Sequence, residues 1–329
     1  MDLKRGCALA LLAGVLLATG MAVSVCVGSK TIPLSDVAAA LTSYDESSLD
    51  HLLVRDSRLP RVLCAALVGG LLALSGAMMQ GVLRNPVAEP SVMGVNQGAT
   101  LMVTIALVGG LAGGVYGSFA MALVGAAAAG ALLLLFTLAG RGGQSMARIL
   151  LAGTALGTFF LSLATLVGLL GNRSQELAFW VVGSLRGVGW AQVWCLLVVG
   201  GLFGSLSFAW SSRINVLSLG DEFATGLGLR PERVKLQAVA FLVPLCGVCV
   251  AVAGNIGYVG LFVPHIVRRI AGNDYRLLMP VSFVAGAAVL VWADFAARMV
   301  MSPYEMPVGL FTACIGVPVF LALVRREKN

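Results

Sequence analysis

The sequence predicts an all-α polytopic membrane protein of about ten transmembrane helices, and three observations carry that prediction. The 329-residue chain is 59% hydrophobic and 11% charged, with a mean hydropathy of +0.95, whereas a soluble domain carries about 25% charged residues. Apolar runs of about 20 residues recur along its whole length, as crossing a hydrocarbon core of about 30 Å requires of a helix. The runs are continuous and not alternating, which excludes a transmembrane barrel. No internal repeat and no soluble segment of domain size is evident, so residues 1–329 read as one transmembrane domain.

Runs and their punctuation place spans at 6–28, 61–82, 92–112, 117–139, 147–170, 190–210, 236–255, 258–271, 278–300 and 305–324. The first, from Cys7, is longer than a signal-peptide core and lacks a small-x-small cleavage site. Val23-Ser24-Val25 before Cys26 is also a poor lipid-attachment context, so an uncleaved span is expected. Residues 29–57 follow as a polar connection holding five of the 15 acids. After the second span, Pro86 and Pro90 forbid a continuous helix. That turn either simply reverses the chain or also shapes a gate. Residues 171–189 read as an interfacial helix with Phe179 and Trp180 at the lipid headgroups.

The seventh and eighth spans do not fit two full crossings. Residues 236–267 give about 48 Å of helix where about 60 Å is needed. One leg is therefore short, with helix breaks expected at Gly254-Asn255-Ile256-Gly257 and at Pro264. Non-helical backbone at that depth must be shielded by protein or line a cavity.

Ten crossings put both termini on one side. Of the 22 Lys and Arg residues, seven then fall outside (Lys30, Arg55, Arg58, Arg61, Arg173, Arg186 and Arg298) and 15 inside. The excess of positive charge makes the terminal side cytoplasmic.

Several chemistries lack their residues. None of the four lysines (4, 30, 235 and 328) follows a glycine, so the chain has no P-loop. Cys246 and Cys249 have metal or redox spacing, but no histidine or acid stands near them in the apolar run, and they read as packing residues. His51 and His265 have no ligand cluster, and no metal site is expected. Asp294 is the one acid well inside a span, thin provision for an ion-coupled secondary transporter. No catalytic constellation is apparent.

Against this apolar background Ser218–Lys235, SLGDEFATGLGLRPERVK, holds six of the 37 charged residues. Asp221 and Glu222 suit a helix N-terminus behind Gly220. Gly226 and Gly228 suit its end, and Pro231 suits the opening of the next helix. The expected form is a compact knob of two short helices with a glycine corner.

Five stretches in order resemble one family. RLPRVLCAALVGGLLALSGAMMQGVLRNPVAEPSVMGVNQGA (58–99), FWVVGSLRGVGW (179–190) and LSLGDEFATGLGL (217–229) are followed by GNIGYVGLFVPHIVRRIAGNDYRLLMP (254–280) and ADFAARMVMSPYEMPVGLFTACIGVPVFLALVRR (293–326). Together they are similar to the permeases of ATP-driven importers for iron-siderophores, haem and cobalamin, and the likeness covers residues 55–329. The resemblance implies a type II ABC importer permease-like bundle of ten helices. It implies a dimer, homo- or heteromeric, in a bacterial cytoplasmic membrane, with both termini inside. Two cytoplasmic ATPases would consume the ATP, and an extracytoplasmic binding protein would deliver the ligand. The permease itself would be non-catalytic and bind no cofactor.

Carried onto this chain, the family pattern implies that Leu219, Gly220, Asp221, Glu222, Ala224, Leu227 and Gly228 form the ATPase-coupling loop. Arg58, Arg61 and Arg298 would dock the binding protein, although arginines at span ends also anchor helices to lipid phosphates. Gly153, Thr154, Gly157, Thr158 and Ser162 would line the path. The expected cargo is an iron chelate, most simply a ferric siderophore, with haem or cobalamin as the alternative within the family.

Overall fold

The computed structural model describes residues 2–28, 30–111, 115–139, 146–302 and 304–326, and among these the regular structure is all helical. Helix α1 (Asp2–Cys26) leads through the short α2 (Leu34–Thr42) and α3 (Leu49–Leu52) to a wide π turn (Leu53–Arg58) and α4 (Leu59–Leu83). A 3₁₀ turn (Pro90–Met93) precedes α5 (Val95–Val108), then come α6 (Val115–Ala139), α7 (Met146–Leu170) and α8 (Ser174–Val182). Helices α9 (Trp190–Cys195) and α10 (Gly201–Ala209) are one rod interrupted by a π turn (Leu196–Gly200). The remainder is α11 (Ser211–Ser218), α12 (Asp221–Gly226), α13 (Pro231–Ala253), α14 (Val259–Ala271), α15 (Tyr275–Met299) and α16 (Val308–Arg326).

Each sequence-predicted span has a helical counterpart. Seven stretches among the described residues are long and apolar enough to cross a bilayer, and Val95–Val108 and Val308–Ala322 are shorter apolar helices. The eighth counterpart, α14, has 13 residues and is about 20 Å long. The length argument for one short leg therefore holds.

Helix α4 is the axis of the molecule, buried along nearly its whole length. It runs beside α15 and also touches α13 and α14, while α5, α6 and α7 form a flank and α1 lies against α15. Small residues bring these helices together: a Cβ at Gly69 would fall 2.3 Å from the Gly286 carbonyl oxygen of α15. Close backbone approach of this kind replaces the hydrophobic driving force that is absent between helices in lipid.

Three expectations need correction. Pro264 does not break the chain; it lies inside α14. Trp180 does not sit free at a headgroup surface: it packs against the main core, and its carbonyl accepts from Asn255 N at 3.0 Å. The side chain of Phe179 lies outside the described residues. Finally, the helix after the charged segment is not short. Pro231 opens α13 directly, so the knob is made by α12 between α11 and α13.

Candidate functional site

The charged segment folds as a protrusion at one end of the bundle. The Gly220 amide donates to Leu217 O and turns the chain out of α11. Six residues later α12 closes with Gly228 N donating to Thr225 O and Leu229 N to Ala224 O. Gly228 has φ +82°, a left-handed value that costs a side-chain-bearing residue about 1–2 kcal/mol. Ala224 is fully buried and seats the helix, whereas Leu219, Phe223 and Leu227 are 67%, 62% and 61% exposed. Three large apolar side chains thus project from one of the most charged stretches of the chain.

One carboxylate holds this protrusion. Asp221 accepts from Arg84 Nη2 at 2.9 Å and from Lys235 Nζ at 2.6 Å, tying α12 to the end of α4 and the start of α13. Glu222 is exposed. Sequence reasoning placed Asp221 at the helix N-terminus but missed both partners, and it passed over Phe223. The signal for Phe223 was present, as the one aromatic residue in an otherwise polar segment.

The broken region lies deeper. Asn255 Oδ1 accepts from Asn96 Nδ2 at 2.7 Å, and Ser184 N donates to Ala253 O at 2.8 Å, so α5 and the chain after α8 seal the gap between α13 and α14. The Arg84–Pro90 turn reaches the same place, because Glu89 Oε1 accepts from Tyr258 N at 2.5 Å. That carboxylate stands at the N-terminus of α14, where helix geometry favours an anion. The turn does more than reverse the chain. Cys246 and Cys249 are buried in the core nearby.

The five residues proposed for a path divide between two faces of α7. Gly153 and Gly157 are buried and press on the start of α5; a Cβ at Gly157 would lie 3.2 Å from Gly94 Cα. Thr154, Thr158 and Ser162 are exposed, with Thr158 Oγ1 donating to Thr154 O and Ser162 Oγ to Thr158 O, both at 2.9 Å. The helix therefore presents a hydroxyl stripe in which Thr158 and Ser162 already donate to backbone acceptors.

At the opposite end, about 29 Å along α15 from Tyr275, Asp294 is fully buried. Arg61 grips it with Nε at 3.1 Å and Nη2 at 2.9 Å, and extends Nη1 to Glu305 Oε1 at 2.8 Å. Arg298 Nε lies 3.2 Å from Asp294 Oδ2, and its Nη2 donates to the hydroxyl and carbonyl of Ser24. Arg58 is 5% exposed, its guanidinium donating to the carbonyls of Val25, Cys26 and Lys30. The free, exposed arginine forks expected on this face are thus turned inward. They brace α1, α4, α15 and the chain before α16. Apart from the Arg298–Asp294 pair, four residues apart on α15, their partners lie 28 to 274 residues away, where no local pattern could announce them.

Comparison with known proteins fits this architecture. The FecCD transport family profile matches residues 16–326. The chain is 43% identical to an iron(3+)-hydroxamate import system permease protein of Bacillus subtilis, over 98% of this chain and 85% of that one. It is 36% identical to a vitamin B12 import system permease protein of Klebsiella pneumoniae, over 95% and 92% of the two chains. A solved metal-chelate type ABC transporter in an inward-facing conformation superimposes with a TM-score of 0.84 at 29% identity, covering 96% of this chain and 98% of that one.

Proposed function

The chain belongs to the FecCD transport family, and from that membership and the geometry we propose the following mechanism. It is the membrane-spanning permease of an ATP-driven importer that moves an iron chelate across the bacterial cytoplasmic membrane. The observation that carries the mechanism is the α12 protrusion, where exposed Leu219, Phe223 and Leu227 on and beside the helix suit a protein partner outside the bilayer. A cytoplasmic ATPase with an apolar groove is that partner, and hydrolysis happens there, this chain being non-catalytic. The N-terminus and α12 then lie inside, in keeping with the positive-charge bias. Two permeases share the path, lined by Thr154, Thr158 and Ser162 and packed by Gly153 and Gly157.

The binding protein is placed over Arg58, Arg61 and Arg298. Its carboxylates would have to compete with Asp294 and Glu305 for Arg61 and Arg298, whose side chains are 11% and 10% exposed, and with backbone carbonyls for Arg58. Such contacts act on docking rate and salt sensitivity more than on affinity. Iron(III)-hydroxamate is the first cargo to test, given the 43% identity to a hydroxamate permease; the 36% identity to a vitamin B12 permease keeps cobalamin as the second. The chain, produced with a candidate ATPase and binding protein, should accumulate radiolabelled iron(III)-hydroxamate only when ATP is supplied. Uptake that survives ATP depletion but stops with an uncoupler would replace the proposal with ion-coupled transport. Single cysteines at Ser174 and Ser302 should label from outside and one at Thr225 only after permeabilisation; the reverse would invert the orientation.

A further inference from the structure

Helix α14 carries Pro264 in its second turn and does not break. Proline has no N–H, so the Gly260 carbonyl lacks the intrahelical donor that residue 264 would otherwise supply. At membrane depth an unsatisfied carbonyl is costly unless another protein group meets it. The donor comes from 180 residues away: Gln80 Nε2 lies 3.3 Å from Gly260 O and 3.0 Å from Leu261 O. The approach is made possible one turn earlier on α4, where Gly76 meets Gly260 so closely that a Cβ there would fall 1.9 Å from the Gly260 oxygen.

The other half of the same amide faces a cation. Gln80 Oε1 accepts from Arg268 Nη2 at 3.2 Å, and that nitrogen also donates to the Tyr275 hydroxyl at 3.0 Å. Tyr275 N donates to Asn215 Oδ1 at 2.8 Å, and Asn215 Nδ2 donates to Asp274 Oδ1 at 2.7 Å. Asn215 belongs to α11, the helix that runs into the α12 knob. Gln80 and Tyr275 are 1% and 4% exposed, so the bonds of Gln80 to α14 are shielded from bulk solvent, while the Asn215–Asp274 end of the set is exposed. Hydrogen bonds, continued through Tyr275 itself, therefore connect α14, the core helix α4 and the segment that carries α12.

We infer that Gln80 and Arg268 are positioning residues for transport. They key α14 to α4 and to α11, so that a displacement of α12 is passed to the broken-helix region and not absorbed between the helices. This rests on the importer reading, in which α12 is where the ATPase pushes. A purely structural alternative exists, in which Gln80 only satisfies the carbonyl orphaned by Pro264. The two roles separate in a double variant. Pro264→Ala returns a backbone N–H to the Gly260 carbonyl, while Gln80→Leu removes the tie to α4 and Arg268.

The experiment uses the full complex with its ATPase and binding protein in vesicles. It measures ATPase capture, ATP hydrolysis and uptake of labelled iron(III)-hydroxamate. Pro264→Ala alone should behave as the parent, because Gln80 is still present. Gln80→Leu/Pro264→Ala should capture the ATPase and hydrolyse ATP normally but move about tenfold less iron per ATP. Arg268→Met should give the same loss, and adding it to the double variant should cost no more, as expected of residues acting as one unit. Parental transport per ATP in the double variant would overturn the inference and leave Gln80 a carbonyl filler. Failure of both the double variant and Arg268→Met to assemble would overturn it as well, making the pair part of the folding core. If the parent itself captures no ATPase, it is the importer reading that fails, which is evident before any variant is compared.

Discussion

Each end of this bundle is organised around one carboxylate gripped by two cations, but the two grips differ in their surroundings. Asp294 is 1% exposed at its side chain and is held by Arg61 and Arg298, themselves 11% and 10% exposed. Asp221 is 42% exposed and is held by Arg84 at 43% and Lys235 at 10%. In the dry setting each charge depends on the others, because none can turn to water when a partner is lost. In the wetter setting Asp221 and Arg84 can both turn to water at little cost, and Lys235 alone is sheltered. The same chemistry therefore makes a fixed brace at one end and a yielding joint at the other. That difference suits the importer proposed above, in which the Asp294 end would stay in register while the α12 end is moved by a partner.

The largest expected effect is a test of the brace. Asp294→Leu leaves two nearly buried guanidiniums with Glu305, on Arg61, as their remaining carboxylate, and removing one member of a buried ion network typically costs about 3–5 kcal/mol. Thermal unfolding in detergent should show a large loss for this variant. Adding Arg61→Leu and Arg298→Met, which removes all three charges together, should recover much of it. If Asp294→Leu unfolds like the parent, the Asp294 end is as wet as the Asp221 end and the contrast collapses.

A smaller change in folding, but a decisive one in assembly, is expected at the joint. Phe223→Glu places a charge on a side chain that touches solvent in the free chain, so unfolding should move by less than about 0.5 kcal/mol, as for ordinary surface substitutions. Capture of the ATPase should nonetheless fall steeply, because the apolar face it would bind is interrupted. Gly228→Trp should act in the same direction, with added backbone strain from its positive φ. Normal capture by both variants would mean that the partner docks elsewhere on this end of the chain.

What could be read beforehand follows from how far each signal reaches along the chain. Bilayer thickness imposes a local length on every span, so the apolar runs gave the helices to within a few residues. Chain length alone exposed the short eighth leg. Turn and cap residues around Asp221 gave the knob, since a helix start and a glycine end are also local. The polar contacts were not legible. Gln80 meets Gly260 across 180 residues, and Arg61 meets Asp294 across 233, so neither pair leaves a periodicity or spacing. Pro264 misled for the same reason: its local effect is to break a helix, and the donor that compensates lies on another helix.

The smallest expected effect sharpens the comparison most directly, because it turns on salt. Asp221→Asn keeps the shape of the side chain and an oxygen acceptor but removes the charge that Arg84 and Lys235 share. The exposed Arg84 pair contributes roughly 0.2–1 kcal/mol and the acid's place at the start of α12 only a similar amount, while the sheltered Lys235 keeps the amide oxygen as an acceptor. The variant should therefore lose about 1 kcal/mol at low ionic strength. Exposed charges are screened over about 10 Å at 0.1 M salt and about 3 Å at 1 M, so the gap between variant and parent should close as salt rises. The deficit of Asp294→Leu should persist through the same titration, because buried charges are screened far less. Melting both variants in detergent across that salt range provides the measurement. Parallel salt curves would mean that Asp221 is sequestered as Asp294 is, and α12 would then be a rigid part of the bundle and not its joint.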